Sequence, residues 1–211
     1  MLFQTSLFLL GLPLLNASPI AIQPRVDSDT ENGLTDGSGC KAMTVIFARG
    51  TTETGNVGTL TGPPFFDALE QQVGASNVAV QGVDYPADIP GFLAGGDAAG
   101  SQLMAQLVTQ AMTQCPNTTV VMSGYSQGGQ LVHNAAKMMD AATSAKVSSA
   151  IIFGDPDNGT AVGTIPAAKT KIICHATDNI CMGGDTILAA HLTYSQDAGT
   201  AASFAASAAG M

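Results

Sequence analysis

Residues 118–129 read Thr-Thr-Val-Val-Met-Ser-Gly-Tyr-Ser-Gln-Gly-Gly, and this stretch restricts the fold more than any other. A short β-branched apolar run, 119–122, is long enough for one buried strand and is bounded by chain breakers. Gly124 and Gly128 flank Ser126 at two residues on either side, the G-x-S-x-G spacing of a nucleophile elbow. A strand that turns at once into a helix brings two backbones closer than a Cβ permits, which is why glycine is needed there. Leu131, Ala135, Met138 and Ala142 continue on one helical face. The helix N-terminus then aims free N–H groups and a positive dipole end at the serine, where an oxyanion would develop.

The remaining apolar runs extend this into a whole architecture. Runs at 43–47, 77–83, 147–153 and 171–174 read as further strands. Helical patterns separate them, at Pro63-Pro64 followed by Phe65, Leu69 and Val73, and at Met104, Leu107, Val108 and Ala111 before Cys115-Pro116. Alternating strands and helices predict an α/β fold, a three-layer α/β/α sandwich with a parallel central sheet. Ligands in such sheets bind beyond the carboxyl ends of the strands, where Ser126 sits. The loop 84–96 carries Tyr85, Ile89, Phe92 and Leu93, unusually apolar for a connection. It suits either packed core or one lip of a cleft.

Composition and cysteines set the compartment and the partners. A net charge of -9 argues against nucleic acid or an anionic membrane surface, both of which require clustered Lys and Arg. The apolar run within residues 1–17 is too short to span a bilayer and reads as a secretory signal peptide. Residues 18–39, rich in Asp, Ser, Thr, Gly and Pro, read as a flexible leader, with one catalytic domain over 40–211. Four cysteines in an exported chain imply two disulfides, with three possible pairings. Cys174 and Cys181 are near neighbours and natural partners, leaving Cys40 with Cys115. The Asn117-Thr-Thr and Asn158-Gly-Thr segments are glycosylation sequons on expected loops. The scattered histidines and the lack of a C-x-x-C pair speak against a metal site.

A serine hydroxyl needs a hydrogen-bonded base and a group that orients the base. His133 lies seven residues along the elbow helix, about 10 Å away at ~1.5 Å per residue, and reads as a surface or packing residue. His175 and His191 remain, with Asp155, Asp157, Asp178 and Asp185 as partners in the order Ser, Asp, His. Chain order admits His175 with Asp155. The residues favour Asp178 with His191, because Asp178 sits in the middle of a short cross-linked loop and His191 has apolar neighbours.

These segments resemble the cutinases, secreted serine esterases of the α/β-hydrolase type. The resemblance rests on Phe-Ala-Arg-Gly-Thr-Thr-Glu-Thr-Gly-Asn at 47–56, Gly-Tyr-Ser-Gln-Gly-Gly at 124–129, Cys-His-Ala-Thr-Asp-Asn-Ile-Cys at 174–181 and Ala-His-Leu at 190–192. It implies Ser126 as nucleophile, His191 as base and Asp178 as acid, with an oxyanion hole at the backbone of Thr51 and Gln127 helped by the Thr51 hydroxyl. Some cutinases carry Ser at the place of Thr51. The resemblance also implies a five-stranded sheet, the disulfide pairing above, no metal or other cofactor, and no long lid. Cutin, a hydroxy-fatty-acid polyester, and short soluble esters are the implied substrates. Tyr125, Ile187, Leu188 and Leu192 are the expected substrate-binding residues, and a monomer is expected.

Two other functions compete. An acetylxylan esterase shares the Gly-Tyr-Ser-Gln-Gly motif and a Tyr-Pro-Ala segment like that at 85–87, but zero Trp and three Tyr leave few rings to stack on sugars. A non-catalytic secreted surface protein of the same fold would be expected to lack a member of the triad, and none is missing.

Overall fold

The computed structural model describes residues 28–211. The expected signal peptide and the first part of the leader lie outside them. Five strands, β1 (Met43–Ala48), β2 (Val78–Gly82), β3 (Thr119–Tyr125), β4 (Val147–Phe153) and β5 (Thr170–Ile173), form one sheet in the order β2-β1-β3-β4-β5. Every pairing is parallel. The helices are α1 (Gly62–Val73), α2 (Ile89–Leu93), α3 (Ala98–Gln114), α4 (Gln127–Met138), α5 (Ala141–Lys146) and α6 (Ala198–Ala209). The fold is the expected α/β sandwich.

Strand β1 explains the layering. All six of its residues are buried, and alternate side chains serve opposite faces. Met43, Val45 and Phe47 pack with Phe65, Phe66 and Leu69 of α1 and with Ala201, Ala202 and Ala205 of α6. Ile46 and Ala48 pack with Met104, Leu107 and Val108 of α3 and with Leu131, Val132 and Ala135 of α4. A strand covered on both faces must read as a continuous apolar run.

Local chemistry sets where the helices start. Pro63 and Pro64 occupy the first turn of α1, where their missing N–H groups cost nothing. Asp88, Asp97 and Asp140 cap α2, α3 and α5, accepting from the N–H groups of Gly91, Gly100 and Thr143. The expected helix through Ala142 ends at Met138, and Asp140 starts a separate short one.

Two features depart from the sequence reading. Ordered structure begins well before Cys40, because residues 29–36 seal the outer edge of β2. Gly33 N–H donates to Val80 O at 2.8 Å, Gly82 N–H donates to Glu31 O at 2.9 Å, and Asn32 forms an antiparallel bridge with Gln81. Leu34 is buried in the α3/α4 core. Helix α6 was also unforeseen: its buried residues are all alanines, so it has the best helix former but no large apolar side chain to mark a periodicity. Those small side chains let it lie against α1 and β4.

Candidate active site

Ser126 ends β3 and begins α4 in a left-handed conformation (φ 57°). A Cβ on Gly124 would overlap the Gly128 carbonyl, and one on Gly128 would overlap the Ala48 carbonyl. The turn therefore closes only with glycine at both places. Ser126 N–H donates to Phe153 O at 2.9 Å, fastening the elbow to β4. Ser126 is the N-cap of α4, and its side chain does not cap the helix.

Three segments converge on the hydroxyl. His191, in a 3-10 turn over Ala189–Leu192, places Nε2 2.9 Å from Ser126 Oγ. Its Nδ1 lies 2.8 Å from Asp178 Oδ2. Ser126, His191 and Asp178 are 4 %, 2 % and 0 % exposed, so this relay is shielded from water. The Tyr125 ring stacks on His191, with centroids 5.1 Å apart, and its hydroxyl donates to His191 O at 2.8 Å. Burial pushes the Tyr125 phenol well above its usual range, which keeps it a donor.

Asp178 lies inside the loop closed by Cys174–Cys181, and the second disulfide joins Cys40 to Cys115, as expected. Burial alone would raise the Asp178 carboxyl. Hydrogen bonds from His191, from the Tyr194 hydroxyl at 2.7 Å and from Ile180 N–H at 3.0 Å outweigh it and hold the group below the ordinary 3.8. The carboxylate thus stays ionised and available to orient an imidazole. Tyr194 was not identified from sequence, and a buried phenol that follows the histidine turn carries no local signature.

The loop after β1 forms the opposite wall. Gln127 Nε2 donates to Thr51 Oγ1 and to Asp88 O, each at 2.9 Å. Because the Thr51 oxygen accepts this bond, its own proton remains free to point elsewhere. Arg49 Nε donates to Glu53 O and its Nη2 to Tyr85 O, both at 2.7 Å, while Tyr85 Oη donates to Arg49 O at 2.6 Å. The Glu53 carboxylate accepts from the N–H groups of Gly50, Thr59 and Leu60. Thr52 (φ 65°) and Ala87 (φ 49°) are, with Ser126, the non-glycine residues of positive φ among those described, and Thr52 N–H donates to Ala87 O at 2.7 Å. Backbone held in such sparsely populated regions collects where geometry serves chemistry.

A cavity of about 640 Å3 opens over Ser126, lined by Thr51, Thr52, Leu60, Ile89, Phe92, Leu93, Tyr125, Ile187, His191 and Leu192 among others. Loop 84–96 therefore does both things its composition suggested: Tyr85 is buried, while Ile89 and Leu93 are exposed at the cavity. Of the residues expected to contact substrate, Tyr125, Ile187 and Leu192 line this cavity; Leu188 is exposed and does not.

The other histidines are engaged elsewhere. His133 is not on the surface: it is fully buried, with Nε2 3.0 Å from Asp155 Oδ2, which also removes Asp155 as a partner for His175. His175 contacts Asp197 Oδ2 at 2.7 Å through Nε2. Asn117 and Asn158 are both exposed, and Asn158 Nδ2 donates to Cys181 O at 3.2 Å. Among the described residues, no group of three or more His, Cys, Asp or Glu is gathered as metal ligands would be, and no helix is long and apolar enough to cross a membrane.

Residues 39–209 match the family model for cutinase. A cutinase of Botryotinia fuckeliana is 61% identical over 179 residues, covering 85% of this chain and 89% of that protein. A cutinase of Monilinia fructicola is 56% identical over 202 residues, covering 96% of each. Among solved structures, a Trichoderma reesei cutinase in complex with a phosphonate inhibitor superposes with a TM-score of 0.82 at 48% identity, covering 87% of this chain and 81% of that one. With an elbow serine joined to a buried imidazole and carboxylate, and with these relatives along nearly its whole length, the chain belongs to the cutinase family of carboxylic ester hydrolases.

Proposed function

We propose that the protein is an exported, monomeric esterase that cleaves the ester bonds of cutin and of short soluble esters, with Ser126, His191 and Asp178 as its catalytic triad. The observation that carries this reading is the unbroken line from Ser126 Oγ through His191 to Asp178, at 2.9 and 2.8 Å. Ser126 attacks the ester carbonyl while His191 Nε2 takes its proton. Asp178 holds the imidazole in the tautomer that leaves Nε2 free to accept. The tetrahedral oxyanion rests on the backbone N–H groups of Thr51 and Gln127 and on the Thr51 hydroxyl, whose proton the Gln127 amide leaves available. His191 then gives its proton to the leaving alcohol, and water repeats the sequence on the acyl-enzyme.

The substrate reading is supported by the cavity's walls. Leu60, Ile89, Leu93, Ile187 and Leu192 are exposed apolar side chains around one opening, which suits an aliphatic acyl chain better than a hydrated sugar. Two disulfides fit an oxidising, extracellular setting. The test pairs the parent with Ser126→Ala. A fluorophosphonate probe is expected to label only the parent, and the parent alone should hydrolyse p-nitrophenyl butyrate and release hydroxy-fatty acids from cutin. Equal turnover by Ser126→Ala would remove the triad, and greater release of acetate from acetylated xylan than of hydroxy-fatty acids from cutin would reassign the substrate.

A further inference from the structure

The mechanism above makes no use of His175, yet this side chain joins three segments of the site. It follows Cys174 at the start of the loop that carries Asp178. Its Nδ1 lies 2.8 Å from the carbonyl oxygen of Ala190, the residue before His191, and its Nε2 lies 2.7 Å from Asp197 Oδ2 at the start of α6. Its ring stacks on Tyr194, with centroids 4.2 Å apart and planes 18° from parallel. Tyr194 in turn accepts from His175 N–H at 3.0 Å, donates to Asp178, and meets the His191 ring edge-on at 6.0 Å.

The two ring contacts fix the charge of His175. A peptide carbonyl and an ionised carboxylate are acceptors only, and a neutral imidazole has one N–H to give. Both bonds form together only when both nitrogens carry hydrogen, as in the imidazolium. Thr193 Oγ1, 3.3 Å from Nδ1, does not change this, because its own proton goes to Ala190 O at 3.0 Å. The groups that face His175 from the surrounding elements are the carboxylates of Asp197 and Asp178 and the phenol ring of Tyr194, whose ring in turn meets His191. Burial opposes the charged form, but the Ala190 carbonyl and Asp197 outweigh it and raise His175 above its ordinary 6.5.

We infer that His175 is a positioning residue of the esterase reaction and acts as a cation, tying the turn that bears His191 to the loop that bears Asp178. Its first effect is geometric: the bond to Ala190 O sets where His191 Nε2 meets Ser126 Oγ. Its second is electrostatic: the cation offsets the Asp197 carboxylate beside the turn that carries His191. Because Asp197 neutralises it, the His175–Asp197 pair adds no net charge, and removing either member disturbs His191 with a different sign.

This inference rests on the triad assignment, and the experiment separates the two. Parent, His175→Asn, Asp197→Asn and Ser126→Ala proteins are compared in kcat, KM and the pH profile of kcat/KM on p-nitrophenyl butyrate, after thermal melting establishes that each is folded. His175→Asn leaves the Asp197 carboxylate uncompensated, so the acid limb should move up by about 0.5 to 1 pH unit. In Asp197→Asn it should stay or move down. Both should lower kcat about five- to tenfold with KM within about twofold, since neither side chain lines the cavity. An unmoved limb in His175→Asn, an unchanged kcat, or the same upward move in both variants overturns the positioning role. A protein with Asn at 175 that melts below the assay temperature leaves Asp197→Asn to decide, and an upward move there overturns the proposal. Retained turnover in Ser126→Ala instead overturns the triad beneath it.

Discussion

Removing each disulfide separately should uncouple stability from catalysis. Cys40–Cys115 closes 75 residues and Cys174–Cys181 closes 7. In the chain-entropy treatment, the first stabilises the fold by about 4.5 kcal/mol and the second by about 2.4 kcal/mol. For a domain of this size these correspond to falls in melting temperature of about 9 to 18 °C and 5 to 10 °C. Activity should follow the opposite order. Neither Cys40 nor Cys115 touches the cavity, whereas Asp178 is held by the short loop and by bonds that depend on its exact height. Paired alanines at 40 and 115 should leave kcat within about twofold in the folded fraction. Paired alanines at 174 and 181 should lower it about 10²-fold, short of the ~10⁴-fold expected when the carboxylate no longer orients its histidine at all. Urea unfolding midpoints and p-nitrophenyl butyrate turnover, measured at one temperature, give both numbers. A full kcat without Cys174–Cys181, or a large loss of kcat in folded protein without Cys40–Cys115, would refute the reasoning.

Thr51→Val keeps the shape but removes the hydroxyl that Gln127 orients, and should lower kcat about 10²-fold on a soluble ester while Thr51→Ser stays near the parent. Tyr194→Phe keeps the ring but removes the donor to Asp178 and strands the His175 N–H; it should cost about 1.5 to 3 kcal/mol, read as a fall in melting temperature of about 3 to 12 °C. Because Asp178 is depressed below 3.8, its stabilisation is whole above that value and is lost as pH falls through the depressed one. With one donor fewer, acid unfolding of Tyr194→Phe should begin at higher pH than in the parent. His175 is raised above 6.5, so its stabilisation is whole below 6.5 and is lost as pH rises through the raised value. The melting-temperature gap between parent and His175→Asn should therefore narrow from pH 5 to pH 9.

What could be read from the chain tracks how local the physics is. β4 was legible from end to end, because its Ala-Ile-Ile-Phe half is a continuous apolar run that stops at Gly154. The elbow was legible because its glycines answer to backbone contact within a few residues. The pairing of Asp178 with His191 followed from a short cross-linked loop and from the apolar neighbours of His191, since chain order alone also admitted His175 with Asp155. The Arg49–Glu53–Tyr85 network, the Asp178–Tyr194 bond and the His175–Asp197 pair join segments that only the folded sheet brings together, and no spacing within any of those segments announces them. Residues 29–36 were misread for a related reason: they hold themselves down by backbone bonds to β2, which composition does not report.

That N-terminal strip governs how far the chain can be shortened from its N-terminal side. A cut ahead of Asp29 leaves the hem of the sheet stitched, with Asp29 O still accepting from the N–H groups of Asn56 and Val57. A cut beyond Leu34 would bare the outer margin of β2 and empty the socket Leu34 fills, inviting a second molecule to pair along it. Any cut that keeps this edge covered is thus confined to the chain upstream of that hem.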